Sequence, residues 1–378
     1  MKILLLIPTL DRSGAEKQLT LLATHLPRDE FSVQVVALTR SGPFAADLEQ
    51  AGVPVTVLGK RFKADPLAYW RLRRLLKEQA PDILHTWLFA ANTYGRLAAG
   101  RHPAFKTIVS ERCVDSWKSG WQLAFDRRLI ARTSLLVGNS QGVASFYQEL
   151  GVPAEKLAVV HNGMDLPPSA AVGREAARAR LGLGDQTPVI GYVGRLANQK
   201  RLKDLIWAFE LIRVQDDRAE FVIVGDGPER ETLEDFARNL RIHERIKFLG
   251  HRDDATQLYP AFDLFFLGSD FEGLSNSIME AMATGIPVVA SDIPPNRELV
   301  VDGVTGFLAP VGDRVAFAQL GQRVLGDREL ARRLGEAGRN RIASEFSIAK
   351  MVAGYVRIYR DVLGRAGADQ ATGAGAAP

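Results

Sequence analysis

Short apolar runs alternate with amphipathic stretches of helical period along almost the whole chain, from ILLLI (3–7) to FSIAKMVAGYVRIYRDVL (346–363). Runs of four to six apolar residues bounded by turn residues suit strands buried on both faces, and the intervening helical patterns supply the crossovers of parallel sheets. The pattern predicts strands near 2–7, 32–38, 54–58, 82–86, 106–110, 134–138 and 157–160. It lapses after HNGMD (161–165) into PPSAAVGREAARARLGLGDQTP, rich in Pro, Gly, Ala and charge, then resumes at TPVIGYVGR (187–195). A second series of strands follows near 188–193, 219–224, 246–249, 263–267, 287–290 and 306–309, with helical stretches from about 313 to 364. Two α/β domains, each with a parallel sheet, are therefore expected: residues 1–165 and 187–345, joined by a linker over 166–186. A long helix over 346–364 follows, and the Gly- and Ala-rich tail, 365–378, reads as disordered. No short period repeats, which argues against a solenoid.

Composition narrows the class without changing the picture. With 378 residues, 46% hydrophobic and 24% charged, the chain can bury two ordinary cores. Its single cysteine, Cys113, rules out an internal disulfide and fits a reducing compartment. The opening apolar run is brief and interrupted by Pro8, so it reads as a first strand rather than a leader. No apolar stretch has bilayer-spanning length, and the expected location is cytoplasmic, with any membrane contact peripheral.

Charge is uneven. Residues 1–165 hold 21 Lys and Arg against 15 Asp and Glu, whereas residues 166–378 hold 27 against 29. Basic side chains gather at Lys60, Arg61 and Lys63, along the amphipathic WRLRRLLK (70–77), and at Arg127, Arg128 and Arg132. A solvated helix face is the first reading of such a cluster, and an anionic membrane or lipid-linked acceptor is the second. No recognised nucleic-acid module or aromatic-rich basic surface accompanies it, so nucleic acid is not an expected partner.

The candidate chemistry concentrates in the second half. In FEGLSNSIMEAMATGIPVVASD (271–292), Glu272 and Glu280 are separated by seven residues and flank the start of an expected helix. Backbone N–H groups at such a start favour phosphate, and two carboxylates nearby can accept from sugar or ribose hydroxyls. Upstream, GYVGRLANQK (191–200) puts Arg195 and Lys200 on one strand-to-helix turn, where both can reach a single diphosphate. PTLDRSGAEK (8–17) places Gly14 at another such turn, but without the three glycines of a dinucleotide fingerprint, so a nicotinamide or flavin site is rejected. No Asp/His constellation suggests a metal site.

Taken together, these segments resemble glycosyltransferase family 4, over roughly residues 1–364 and most sharply in the carboxyl half. The resemblance implies the GT-B fold: two Rossmann-like doubly wound domains facing across a cleft, with the final helix crossing back to the first domain. It implies a retaining hexosyl- or N-acetylhexosaminyl-transferase that uses a nucleoside-diphosphate sugar, a UDP-sugar being favoured, without metal or other cofactor. Its acceptor would be a hydroxyl of a glycan or lipid-linked glycan in envelope or exopolysaccharide assembly. Catalytic roles fall on Arg195, Lys200 and Glu272. Donor binding falls on Gly14, Arg252, the backbone around Leu274, Ser275 and Asn276, and on Glu280 for the ribose. Asp226 lies in a further family-like turn, VGDGPE (224–229), where an Asx turn or helix cap is the first reading. Where relatives commonly carry a histidine after an amino-domain strand, this chain reads Ser110-Glu111-Arg112, which leaves Glu111, Arg112 and the earlier His85 as acceptor-side candidates. A nucleotide-sugar epimerase or phosphorylase on the same fold, or a non-catalytic sugar-nucleotide binding protein, would share much of this pattern.

Overall fold

The computed structural model describes residues 1–100, 104–114, 118–167 and 172–373, with side chains as far as Gly364. The chain divides into two units, Met1–Gly163 with the segment from Ile348 onward, and Met164–Ser347.

The first unit is built on a seven-stranded parallel sheet of β1 (Lys2–Ile7), β2 (Ser32–Ala37), β3 (Val55–Val57), β4 (Ile83–Trp87), β5 (Lys106–Glu111), β6 (Leu135–Gly138) and β7 (Leu157–Val159). Their spatial order is β3-β2-β1-β4-β5-β6-β7. The second unit carries a six-stranded parallel sheet of β8 (Val189–Val193), β9 (Glu220–Val224), β10 (Ile246–Gly250), β11 (Leu264–Leu267), β12 (Val288–Ser291) and β13 (Phe307–Ala309), ordered β10-β9-β8-β11-β12-β13. Every expected strand is present within two residues at each end. In both sheets the chain winds outward one way and then returns to wind the other, so the crossovers diverge between β1 and β4 and between β8 and β11. Ligands of doubly wound sheets bind beyond the carboxyl ends of the strands at that divergence.

Helices cover both faces, which is why central strands such as ILLLI in β1 and LFFL in β11 are apolar at consecutive positions rather than at alternate ones. The helix Pro66–Gln79 shows how local sequence sets an element. Asp65 caps it by accepting from the N–H groups of Leu67 and Ala68 at 3.0 and 3.1 Å, with Pro66 in the first turn, while Ala68, Leu72 and Leu76 face the core.

Two segments differ from the expectation. The presumed linker contains a helix, Arg174–Leu181, whose Ala177 and Leu181 join the second unit's core. Arg178 anchors this helix through the carbonyls of Gly184, Asp185 and Thr187 and the Asp263 carboxylate. The Pro- and Gly-rich flanks hid its short helical pattern, and residues 168–171 of the linker lie outside the described residues. The last helix, Ile348–Gly373, runs nine residues beyond the expected end at 364 into the tail read as disordered, of which 374–378 lie outside the described residues. This helix belongs to the first unit: Met351, Val352, Tyr355, Tyr359 and Val362 pack into the same core as Ile3, Leu5 and Ile7. Gln18 fastens the chain where it leaves that unit, donating to the Gly163 carbonyl at 3.0 Å and accepting from its N–H at 2.9 Å.

Candidate functional site

In the second unit, the loops following β8 and β11 meet at the sheet's divergence point. Lys200, at the end of the short turn Asn198–Lys200 after β8, is ion-paired through Nζ with Glu272 Oε1 on the loop after β11. Ser269 Oγ donates to the same oxygen at 2.6 Å, and the Asp270 N–H donates to the Gln199 carbonyl at 2.8 Å, so the two loops are joined by backbone as well as by charge. Glu272 is buried. An ammonium carries three donors, and one of them engages Glu272.

Arg195 is exposed on the same turn as Lys200, and its carbonyl accepts from the hydroxyl of fully buried Tyr192 at 3.0 Å. Burial pushes the Tyr192 phenol well above its ordinary value, the nearby Glu272 charge adding to it, so this hydroxyl stays protonated and holds the turn. The turn also relies on close backbone approach. A Cβ on Gly225 would lie 1.9 Å from the Gly194 carbonyl oxygen, and one on Gly227 would lie 2.2 Å from that of Leu196. Only glycine permits the loops after β8 and β9 to touch in this way.

Beyond Glu272 the chain passes Leu274 and Ser275 into the helix Asn276–Ala283, whose first-turn N–H groups make an anion-favouring end. Ser275 caps it, accepting from Ile278 N–H at 3.4 Å, and its hydroxyl lies 3.1 Å from that of Ser277. Glu280 projects from the second turn. Fully buried Tyr259 donates to its Oε2 at 2.9 Å, and burial, followed by the Glu280 charge, drives this phenol well above its ordinary value. A permanently protonated donor thus orients the carboxylate. Arg252, on the loop after β10, is exposed and forms a two-pronged pair with Asp254 at 2.8 Å. Asp226 is exposed, accepting from the Gly227 N–H at 2.7 Å and from Arg230 at 3.3 Å.

In the first unit, Gly14 opens the helix Gly14–His25 directly after β1, at that sheet's own divergence point. The preceding Ser13 has φ −136° and ψ 173°, extended backbone that any residue adopts, so a serine is accommodated without strain. Its hydroxyl donates to Glu16, and Thr9 donates to the same carboxylate at 3.2 Å. Burial raises Glu16 above the usual carboxylate range.

The sequence model for Glycosyl transferases group 1 matches residues 173–341, and that for Glycosyltransferase Family 4 matches residues 12–167. The chain belongs to glycosyltransferase family 4. It is 30% identical to N-acetyl-alpha-D-glucosaminyl L-malate synthase of Bacillus anthracis over 62% of this chain and 61% of that enzyme. It is 29% identical to the Escherichia coli UDP-Gal:alpha-D-GlcNAc-diphosphoundecaprenol alpha-1,3-galactosyltransferase over 89% of this chain and 91% of that one. The crystal structure of Anabaena HepE in complex with UDP-glucose superposes with a TM-score of 0.84 at 26% identity, covering 97% of this chain and all of the other. The two parallel-sheet units are those of the GT-B fold.

Within this glycosyltransferase, the residues expected on the acceptor side separate. His85 requires correction. It lies in the middle of β4, fully buried, with Nδ1 2.7 Å from the Tyr359 hydroxyl and Nε2 2.8 Å from Ser110 Oγ. Rings of Trp87, Tyr355 and Tyr359 surround it at centroid distances of 5.3 to 5.7 Å. Burial, with a smaller push from the Arg112 charge, lowers its pKa to about 3. A neutral imidazole with both nitrogens engaged inside the core braces the final helix and has no face for an acceptor. Strand position alone did not reveal this, because the aromatic lid comes from a helix more than 260 residues later.

Arg112 is likewise committed. It lies 4.5 Å over the Trp87 ring, donates to Asn162 Oδ1 and reaches the Tyr355 hydroxyl at 3.4 Å. It ties the end of β5 to the chain's exit and to the final helix, and burial lowers its guanidinium from the ordinary value. Glu111 is buried at the carboxyl end of β5, where Asn92 donates to Oε1 at 2.9 Å and Lys118 approaches the same oxygen at 3.8 Å. Lys118 in turn reaches Asp126 and the Tyr147 hydroxyl, each at 2.9 Å, and Asp126 accepts from Arg96 at 2.6 Å.

Tyr192, Tyr259, Ser269 and this buried ionic cluster escaped the sequence reading. A buried tyrosine needs a partner for its hydroxyl, but nothing in the 21-residue separation of Tyr259 and Glu280 names that partner. Among the described residues, no group of three or more His, Cys, Asp or Glu side chains stands together as a metal site.

Proposed function

We propose that this glycosyltransferase moves a hexosyl or N-acetylhexosaminyl group from a UDP-sugar to a hydroxyl of a lipid-linked or polysaccharide glycan in envelope or exopolysaccharide assembly, with retention at the anomeric carbon. The observation that carries this reading is the Lys200–Glu272 pair at the second sheet's divergence point, beside a helix start and a carboxylate oriented by Tyr259. Relatives support the donor and the pathway: the Escherichia coli enzyme is named for UDP-Gal and a diphosphoundecaprenol acceptor, and HepE was crystallised with UDP-glucose.

In this proposal the donor's ribose hydroxyls bind Glu280, and Arg252 stands by the base. The diphosphate sits on the N–H groups around Leu274, Ser275 and Asn276. As the bond from the anomeric carbon to the phosphate oxygen breaks, the electron pair and negative charge move onto the diphosphate. Lys200 and Arg195 stabilise that charge, which is greater in the transition state than in bound donor, so they accelerate the step without a metal. The acceptor oxygen bonds to the anomeric carbon on the face the diphosphate leaves, as its O–H bond breaks and the proton passes to the departing phosphate oxygen. Glu272 holds the sugar's hydroxyls and orients Lys200. Glu111 remains the acceptor-side candidate.

Thermal-shift titration with UDP-, GDP- and ADP-sugars, followed by UDP-release assays with lipid-linked and soluble glycan acceptors, tests the reading. The expected result is stabilisation by a UDP-sugar and acceptor-dependent UDP release. Epimerisation without acceptor, dependence on inorganic phosphate, or tight donor binding with no release for any acceptor would replace it with one of its rivals.

A further inference from the structure

The helix Pro66–Gln79 buries Ala68, Leu72 and Leu76 and turns a second, unusual face outward. Leu67, Trp70, Arg74 and Lys77 recur at intervals of three and four, so they form one stripe along the solvent side. Leu67 is 65% exposed and Trp70 61%, and Phe62 in the preceding loop is 68% exposed. Single exposed apolar residues are ordinary, but three large ones within nine positions, followed immediately by cations, make a patch. Over residues 60–79 there are seven Lys and Arg against two acids, Asp65 and Glu78. Asp65 is buried as the helix cap, and Glu78 pairs with Arg74 at 2.6 Å, so the outward charge is strongly positive.

Beside this stripe lies a groove of about 700 Å³ walled by Trp70, Arg73, Arg74, Lys77, Ala99 and Phe105. Arg73 lies 5.6 Å from the centre of the Trp70 ring. The acid at the rim, Asp82, accepts from the Lys2 N–H at 2.7 Å, which partly offsets its charge. The groove is placed where β4 and β5 begin, at the opposite edge of the first sheet from Gly14 and Glu111. It is therefore separate from the glycosyl-transfer chemistry.

We propose that this face docks onto an anionic phospholipid bilayer, with Phe62, Leu67 and Trp70 entering the headgroup boundary and one lipid phosphate seated in the groove among Arg73, Arg74 and Lys77. The complementarity is twofold. Aromatic and aliphatic tips suit the interface, and a cluster of cations suits anionic lipid, whereas none of the helices among the described residues is long and apolar enough to cross a membrane. The purpose of this contact, delivery to a lipid-linked acceptor, rests on the proposed function; the contact itself does not.

Co-sedimentation of the full chain with vesicles of phosphatidylcholine alone, or of phosphatidylcholine with phosphatidylglycerol, tests it without turnover. Binding is expected only to the anionic vesicles, weakening as salt rises, with a blue shift of tryptophan emission. The triple variant R73Q/R74Q/K77Q is expected to bind them about 100-fold more weakly, from about 1 kcal/mol per basic residue at such a surface and tenfold per 1.4 kcal/mol. W70F is expected to keep most of the binding and lose the blue shift, and L67S/W70S to lose both. UDP binding by calorimetry is expected to be unchanged in every variant, which certifies folding and tests the donor site independently. Equal binding to neutral vesicles, no binding by the parent, or parent-like binding by the triple variant would overturn the proposal; a failure of UDP calorimetry alone would count against the donor reading instead.

Discussion

Lys200 and Glu272 lie 72 residues apart in the chain and form an ion pair where the loops after β8 and β11 converge. Lys200 ends the short turn Asn198–Lys200 and Glu272 lies on a loop, so their meeting is a product of the sheet order. Replacing Lys200 by Ala removes the cation proposed to take up diphosphate charge and leaves Glu272 buried without it. The expected loss in kcat is about 10²–10³, the scale for one electrostatic donor aimed at a transition state. Glu272→Gln keeps the shape and removes the charge. If the pair acts as a unit, K200A/E272Q falls no further than K200A alone, as initial-rate UDP release would measure.

Tyr259 supports a different step. Its hydroxyl gives Glu280 a charge-assisted hydrogen bond, and bonds of that type contribute about 1.5–3 kcal/mol. Tyr259→Phe leaves the ring in the core and removes only the donor. The expected outcome is UDP binding weakened by about tenfold or somewhat more, with kcat at saturating donor nearly preserved. Glu280→Gln should weaken binding similarly, and Y259F/E280Q should be far from additive. Calorimetry with UDP and a KM-against-kcat comparison separate this from a loss of fold; a fall confined to kcat would contradict the ribose assignment.

His85 makes the first unit sensitive to acid. Its folded pKa of about 3 is below the ordinary value of about 6.5, so between those limits the unfolded chain binds more protons than the folded one. Stability is therefore full above pH 6.5 and declines as pH falls toward 3, by at most about 1.4 kcal/mol per pH unit from this group. The groups around it, Ser110, Trp87, Tyr355, Tyr359 and the Arg112 cation, offer no carboxylate to rescue an imidazolium. His85→Gln should be less stable than the parent at pH 7 through lost ring packing. The gap should narrow on acidification, because glutamine does not titrate. Urea midpoints measured from pH 7 to pH 4 would check the convergence; parallel curves would remove His85 as the titrating group.

These three cases mark where sequence was informative. Of the thirteen strands among the described residues, central ones such as β1 and β11 were legible because doubly buried strands write themselves as unbroken apolar runs. Gly14, Arg195, Lys200, Glu272 and Glu280 were singled out because strand-to-helix turns are local. Partners supplied from elsewhere were not legible. The tyrosines over His85 and beside Glu280 come from distant segments, and in sequence they look like any other core aromatic. Arg112 resembled an acceptor-side cation for the same reason, since only the folded chain sets Trp87, Asn162 and Tyr355 around it. The helix Arg174–Leu181 was missed because its eight residues sit between glycines and a proline, where composition reads as linker.

The buried cluster beside β5 carries the remaining prediction. Lys118 and Arg96 share the Asp126 carboxylate, and Lys118 also faces Glu111, the Tyr147 hydroxyl and, at 4.8 Å, the Phe89 ring. Two cations and two carboxylates offset one another inside the unit, so removing one leaves an uncompensated charge at a cost of about 3–5 kcal/mol. Asp126→Asn should therefore lower the unfolding midpoint sharply, since it leaves both cations beside a neutral amide. Lys118→Met should also lower the midpoint, because it takes the Lys118 cation away from the buried Glu111 carboxylate while the Arg96–Asp126 bond stays intact. If Glu111 serves the acceptor through this scaffold, K118M should also raise the acceptor KM while leaving UDP affinity unchanged. Denaturation curves and acceptor saturation curves on the same preparations decide between the roles. A destabilised K118M with an unaltered acceptor KM would make the cluster purely structural and remove Glu111 from the acceptor side.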